Sequence, residues 1–156
     1  MELSILQWLF QGIPECLALA ALAMVLAGRR LEAKSVFLIG LPHAVITYLV
    51  RLLPLTFGVH FIIFVVVLAT LLNVWLKISL SRGLLTALTG LIILAVAEVS
   101  FISIILLAMG ISFEQASQNI FLLIVYGWPH AVLLFLLAVA IDRWRKRRRV
   151  KEGFDA

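Results

Sequence analysis

Prolines and ionisable residues recur together within three apolar stretches of this sequence. The stretches "QGIPECLALA", "IGLPHAVITY" and "YGWPHAVLLF" share the pattern Gly-x-Pro-[Glu/His]. Because proline lacks the N–H that donates within a helix, it bends the helix and frees a carbonyl that needs a polar partner in lipid, while glycine lets a neighbouring helix approach. An ionisable group beside such a kink could line a small hydrated pocket; an ordinary kink with a satisfied neighbour is the alternative. The predicted kink residues are Gly12, Pro14, Gly40, Pro42, Gly127 and Pro129.

Six polar side chains fall inside stretches that are otherwise apolar. An ionisable group near the centre of a bilayer costs at least about 2.5–3.5 kcal/mol, so such groups usually face the interior of a helix bundle and find partners. At a rise of about 1.5 Å per residue, three of the six are expected near the midplane, and one nearer a helix end can extend toward the surface. We therefore predict a polar layer that binds a small ligand, an ion or a proton. Its ligand-binding residues are Glu15, His43, Arg51, Asn73, Glu98 and His130.

Two carboxylates and two imidazoles of this layer allow two different chemistries if they converge. Glu15, His43, Glu98 and His130 could bind a divalent transition metal. The same four groups could instead share protons in Glu–His contacts. Short metal-binding motifs such as HExxH and CxxC are absent, so the spacing does not choose between the two.

Motifs of catalysis are missing from the sequence. It contains no recognisable Ser-His-Asp arrangement, no glycine-rich phosphate loop and no paired-acid motif of intramembrane proteases. The single cysteine, Cys16, is not part of a short motif that pairs it with a histidine. We therefore expect that the chain is not an enzyme.

Composition identifies the elements that must hold these residues in place. The chain has 156 residues, of which 64% are hydrophobic and 13% charged, far outside the range of water-soluble domains. A helix crosses a bilayer with about 20 apolar residues, and the sequence contains five such stretches. The predicted fold is an all-α integral membrane bundle, one domain of five transmembrane helices over residues 1–142, followed by a basic tail over residues 143–156. The predicted helices cover about residues 5–26, 36–53, 59–80, 84–107 and 120–141.

The positive charges predict the orientation of these helices. Twelve of the 13 Lys and Arg residues fall on one side of the predicted bundle, and only Arg51 is near the other. By the positive-inside rule, the amino terminus lies outside the cell and the carboxyl terminus in the cytoplasm. The charge is therefore interpreted as a topology signal and not as a nucleic-acid site. The tail "DRWRKRRRVKEGFDA" either contacts anionic lipid, at about 1 kcal/mol per basic residue, or acts only as an anchor with Trp144 at the interface.

Two further patterns concern packing and symmetry. Small residues in "LALAALAMVLAG" allow close helix packing within one chain or between chains, so a homo-oligomer is one expectation. Glu15 precedes His43 by 28 residues and Glu98 precedes His130 by 32, in helix pairs of opposite direction. The first two and last two helices could thus form an inverted repeat, an arrangement that places solute sites at the midplane of many transporters.

Three segments also share the appearance of one known family. They are "MELSILQWLFQGIPECLALAALAMVLAG", "RLLPLTFGVH" and "ILAVAEVS". Over about residues 1–142 the chain resembles the amino-terminal membrane sensor region of Gram-positive bacterial sensor histidine kinases, of the sporulation-phosphotransferase-like or accessory-gene-regulator-like type. The resemblance implies a signal-receiving module in the bacterial plasma membrane. The positions that match the family's appearance are Pro14, Glu15, Arg51, Pro54, Gly58, His60 and Glu98.

The function expected from these observations is sensing without a kinase module. Residues 143–156 are too few for a histidine phosphoacceptor or an ATP-binding domain, so we expect a signal to leave through a separate cytoplasmic or membrane partner. A multi-pass sensor or adaptor is therefore the first hypothesis. The second is a small transporter or solute-binding membrane subunit, and the third is a structural protein whose polar residues only hold helices together.

Overall fold

The computed structural model describes residues 5–117 and 120–152, and every regular element in those ranges is a helix. Residues 1–4 and 118–119 of the predicted domain and 153–156 of the predicted tail lie outside this description. The all-α prediction is confirmed for the described part. The helices are α1 (Ile5–Leu26), α2 (Ala33–Arg51), α3 (Phe57–Leu76), α4 (Leu80–Met109), α5 (Phe113–Ser117) and α6 (Ile120–Glu152).

Four of these helices are long and apolar enough to cross a membrane: Ile5–Leu26, Ala33–Arg51, Gly58–Leu76 and Leu80–Met109. Large apolar side chains also cover the outside of the bundle, as expected where lipid replaces water. Examples are Ile62 (62% exposed), Val96 (62%) and Leu107 (86%). The chain thus has the architecture of a membrane protein. The fifth predicted span, residues 120–141, lies within α6.

The middle of α1 forms the core of the bundle. Every side chain from Ala18 to Val25 is at most 3% exposed, because α2, α4 and α6 pack around it. A helix that is apolar on every side is expected in such a position. Small side chains let the neighbours approach: a Cβ added to Gly40 of α2 would lie 2.7 Å from Cδ2 of Leu17 and 3.0 Å from its Cα. The small residues of α1 are therefore used within this chain.

The first proline motif takes the form of a π-helical turn. Residues Trp8–Gly12 are π-helical, and the N–H of Ile13 donates to the carbonyl of Trp8, five residues earlier. Pro14 follows in the first turn of the α-helical part. A backbone N–H at that position has no α-helical acceptor, so proline breaks no α-helical hydrogen bond there. The other two prolines, Pro42 and Pro129, lie inside helices that continue past them.

Loops 27–32 and 77–79 meet the basic segment of α6, residues 142–152, at one end of the bundle, which we call the basic end. There Arg29 donates to the carbonyl of Leu76 (2.6 Å), and Arg145 donates to the carbonyl of Val25. These carbonyls belong to the last turns of α3 and α1, and that of Val25 also accepts from the N–H of Gly28 at 3.0 Å. Some basic residues therefore donate to carbonyls at helix ends, in addition to giving this end of the bundle its positive charge.

Two predicted helix boundaries are wrong by about four residues, those between the third and fourth helices. α3 ends at Leu76, because Lys77 takes a left-handed conformation with φ of 50°, and α4 begins at Leu80. Polar residues occur both in "LKISL" and in the following "SRG", so hydrophobicity alone does not show which of the two segments forms the turn.

Candidate functional site

A cavity of about 140 Å³ lies among α1, α2, α3 and α4, and we call it the polar cavity. Four of the six predicted site residues, contributed by three helices, line it. The full lining consists of Glu15, Cys16, Leu19, His43, Thr47, Arg51, His60, Phe61, Phe64, Leu91, Leu94, Ala95 and Glu98. The structure therefore brings Glu15, His43, Arg51 and Glu98 together around one space.

His130 lies behind the cavity wall and contacts it through Glu15. The distance from Nε2 of His130 to Oε2 of Glu15 is 3.6 Å, longer than a hydrogen bond. His130 is fully buried, and within the described part of the chain neither of its ring nitrogens has a hydrogen-bond partner. Glu15 thus connects the cavity to α6, which carries the basic segment.

His43 lines the cavity and is almost fully buried. It is 1% exposed, and its Nε2 lies 3.4 Å from the carbonyl oxygen of Phe64. Because a carbonyl only accepts, this contact requires the proton on Nε2, which leaves Nδ1 as an acceptor. Nδ1 is buried and has no partner among the described residues. An unpaired buried polar atom costs about 1–3 kcal/mol, so this one needs an explanation.

The hydroxyl and thiol that line the cavity already have partners. Thr47 donates its hydroxyl proton to the carbonyl of Ala44 (3.1 Å), and Sγ of Cys16 lies 3.8 Å from Oγ1 of Thr47. Trp8 of the π turn donates to the same Ala44 carbonyl at 3.0 Å. These contacts fix the wall between α1 and α2.

Arg51 and His60 lie where α2 ends and α3 begins. The guanidinium carbon of Arg51 is 5.5 Å from the centre of the Phe64 ring, within the range of a cation–π interaction. Both ring nitrogens of His60 face backbone carbonyls, Nδ1 that of Thr56 at 3.0 Å and Nε2 that of Val50 at 3.1 Å. The tight loop over residues 52–56 places these two side chains side by side.

Several lining residues were missed by the sequence analysis. His60 appeared only through the family resemblance, because it lies in the first turn of α3 and not near the midplane. Phe61 and Phe64 look like ordinary apolar residues of a membrane helix. The spacing of His60 and Phe64, one helical turn apart, is the signal that could have placed them on one face.

Asn73 and the kink glycines lie apart from the cavity. Asn73 donates to the carbonyl of Ile78 at 2.5 Å and so closes the end of α3. A Cβ on Gly127 would collide with the side chain of Gln11, so this glycine, like Gly40, permits close helix contact. Gly12 faces only Trp8 of its own helix.

The arrangement of possible metal ligands is a separate finding. In residues 5–117 and 120–152, no three His, Cys, Asp or Glu side chains are grouped so that they could hold a metal ion. Glu15, His43 and Glu98 share the cavity with Arg51, and His130 reaches only Glu15.

None of the family models, curated proteins or solved structures compared with the chain matches it. The functional argument therefore depends on the cavity itself.

Proposed function

We propose that this chain is a membrane-embedded sensor or adaptor that binds a small ligand in the polar cavity and acts through a separate partner. One observation carries the proposal: Glu15, His43, Arg51 and Glu98, from three helices, line a single cavity. Charged and imidazole groups are costly in a membrane, so their collection around one space favours a binding role over scattered structural roles.

The contact between Glu15 and His130 supplies a route out of the cavity. His130 lies on α6, a helix of 33 residues that continues to Glu152 through the basic segment. A ligand that changes the position or charge of Glu15 changes the environment of His130 at the same time. A rigid helix carries such a displacement to its far end, so α6 is the proposed signal-transmitting element.

The proposed topology has five membrane spans in a bacterial plasma membrane, with α6 containing the fifth. The amino terminus is outside and the basic end faces the cytoplasm. The positive-inside rule supports this orientation, and the contacts of Arg29 and Arg145 support it further by joining the basic loops at one end.

The basic end is also a proposed contact for anionic lipid. A cavity of about 450 Å³ opens there, lined by Arg29, Arg30, Leu31, Glu32, Asp142, Arg145 and Lys146. Four cations against two acids leave net positive charge beside the anionic leaflet. Arg148 stacks on Trp144 at 4.0 Å, which places an aromatic ring and a cation together as at many lipid interfaces.

Recovery of a partner tests the proposed function. A tagged chain is cross-linked in cells, extracted in mild detergent and compared with Glu15→Gln and, as a control, Glu114→Gln in the short helix α5. We expect one defined partner with the unmodified chain and the control, and an altered yield with Glu15→Gln. Recovery of this chain alone in all three samples contradicts a sensor that acts through a partner.

A transporter is the second candidate, and the position of the cavity between helices favours it. Glu15 lies near the middle of α1, the depth at which many transporters bind their solutes. Proteoliposomes with an internal pH dye distinguish the two functions for protons: a proton transporter gives a flux that Glu98→Gln abolishes, and the proposed sensor gives none.

A further inference from the structure

Two of the unpaired groups that line the polar cavity are carboxylates. Glu98 is half-buried, and its carboxylate has no hydrogen bond or ion pair to any residue that the structure describes. Within the described residues, the carboxylate of Glu15 has only the 3.6 Å contact with His130. A ligand that satisfies these groups has to supply donors.

Thr47, Cys16 and His60 use their donors elsewhere, whereas the guanidinium of Arg51 has no carboxylate partner in the described part of the chain. Thr47 donates to Ala44, and the thiol of Cys16 contacts the Thr47 hydroxyl. His60 has a carbonyl at each ring nitrogen. The guanidinium of Arg51 lies over Phe64 and makes no ion pair with a carboxylate in the described residues. The protein therefore does not satisfy its own acceptors.

The net charge of the cavity lining also favours a ligand that supplies donors. Two carboxylates against one guanidinium leave one negative charge when the histidines are neutral, and an uncompensated charge away from water is costly. A proton would remove this charge but would supply only one O–H donor. An ammonium group carries the same charge with three N–H donors, enough to donate to both carboxylates.

The volume of the polar cavity and its apolar lining limit the size and chemistry of the rest of the ligand. A cavity of about 150 Å³ holds benzene in an engineered protein, so a space of 140 Å³ admits a molecule of roughly six non-hydrogen atoms. Apolar side chains such as Leu19, Leu91 and Leu94 form much of the wall. The rings of Phe61 and Phe64 add faces that attract cations.

We propose that the polar cavity binds a small primary ammonium ion with a short apolar group, held by the carboxylates of Glu15 and Glu98. This assignment rests on the proposed function, because it presumes that the cavity is a ligand site. It adds the chemical class of the ligand, which the sequence left open.

A matched series of small probes tests the class. The purified chain in lipid nanodiscs is titrated with isobutylammonium, isobutyrate, isobutanol and tetramethylammonium at constant ionic strength, and the midpoint of thermal unfolding is recorded. Isobutylammonium is expected to raise the midpoint saturably. The anion, the neutral alcohol and tetramethylammonium, which has the charge but no N–H, are each expected to bind at least about tenfold more weakly.

Substitutions connect the binding to the cavity. Glu98→Gln keeps the shape of the side chain and removes its charge, so the affinity for isobutylammonium is expected to fall about tenfold or more. Glu114→Gln removes the same charge from the short helix α5 and is expected to leave the affinity unchanged. Equal affinities in both variants overturn the assignment.

Cys16 gives a measurement that needs no variant. It is the only cysteine of the chain and lines the cavity, so thiol reagents report occupancy directly. Isobutylammonium is expected to slow its modification by a small neutral thiosulfonate at least fivefold, and isobutyrate is expected to have no effect.

The outcomes separate this inference from the proposed function. If isobutyrate or isobutanol binds as tightly as the ammonium ion and protects Cys16, the ligand class is wrong and the cavity remains a ligand site. If no probe binds and none protects Cys16, the ligand class is wrong and the observation that carries the proposed function is lost as well.

Discussion

His130 is a fully buried imidazole whose ring nitrogens have no hydrogen-bond partner in residues 5–117 and 120–152. Its one close polar contact there is Glu15 at 3.6 Å. Such a group contributes little to stability, because its polar atoms gain no hydrogen bond in return for losing water. The proposed signalling role of His130 can therefore be tested separately from its contribution to folding.

Substitution of His130 separates these two roles. His130→Leu removes the polar atoms without leaving a large cavity, so the free energy of unfolding is expected to stay within about 1 kcal/mol or to rise. Leu134→Ala, at an equally buried apolar position of the same helix, is expected to cost about 2–5 kcal/mol. Thermal unfolding in nanodiscs measures both, and partner recovery is expected to fall only for His130→Leu. A cost equal to that of Leu134→Ala would assign His130 to packing.

The sequence identified the polar layer but not all its members. Glu15, His43 and Glu98 could be found because ionisable residues are rare in apolar helices. Asn73 has the same signature, yet its side chain serves the end of α3. His60 was not placed in the layer because its neighbours depend on how the loop over residues 52–56 turns, and a spacing along one helix does not contain that information.

At the scale of helices, close contact between α1 and α2 depends on Gly40, because glycine has no side chain. Gly40→Ala would place a Cβ 3.0 Å from the backbone of Leu17, which cannot move as a flexible side-chain end can. The expected cost is about 1–3 kcal/mol, measured by unfolding in mild detergent.

Gly58→Ala is the matched control for this contact. An added Cβ there has no atom within 4 Å, so the substitution is expected to be neutral or to stabilise by up to about 1 kcal/mol through helix propensity. Equal losses at the two positions would show that the α1–α2 contact is not tight.

Lipid contact at the basic end can be tested without changing the two arginines that bond to helix ends. Arg29 and Arg145 bond to carbonyls at helix ends, whereas Arg30 and Lys146 are exposed at the same cavity. Arg30→Gln with Lys146→Gln is expected to weaken retention of phosphatidylglycerol about tenfold or more, at about 1 kcal/mol per charge. Retention is measured by mass spectrometry of the purified protein.

Arg82→Gln serves as the control for this lipid contact, since Arg82 belongs to α4 and does not line that cavity. Unchanged retention in the double variant would leave the basic segment as an anchor alone.

The helix bounds show where hydrophobicity predicts structure well. The limits of α1 agree with prediction at both ends, because polar residues follow Leu26 directly. The break between α3 and α4 was placed about four residues too late, because polar residues are spread from Lys77 to Arg82 and do not mark one position for the turn. Nor could the π turn be predicted, since it depends on how Trp8 packs against Ala44 and Tyr48 of α2.

For the whole molecule, the proposed topology makes a labelling prediction. Single cysteines are introduced into a Cys16→Ser chain at Leu55 and Ser79, which are exposed and lie in loops at opposite ends. A membrane-impermeant maleimide is expected to label Leu55→Cys in intact cells and Ser79→Cys only after the cells are opened. The reverse pattern would invert the proposed orientation.

The burial of α1 has a consequence for how the protein is made. The ribosome delivers α1 to the bilayer first, yet its companions α4 and α6 arrive much later in synthesis. Until then, Glu15 lacks the histidine that lies beside it in the finished bundle, and the alanine-rich helix around it has few bulky side chains with which to hold lipid. The last helix to be inserted therefore closes the site opened by the first, so biogenesis of this protein ends where its proposed signalling route begins.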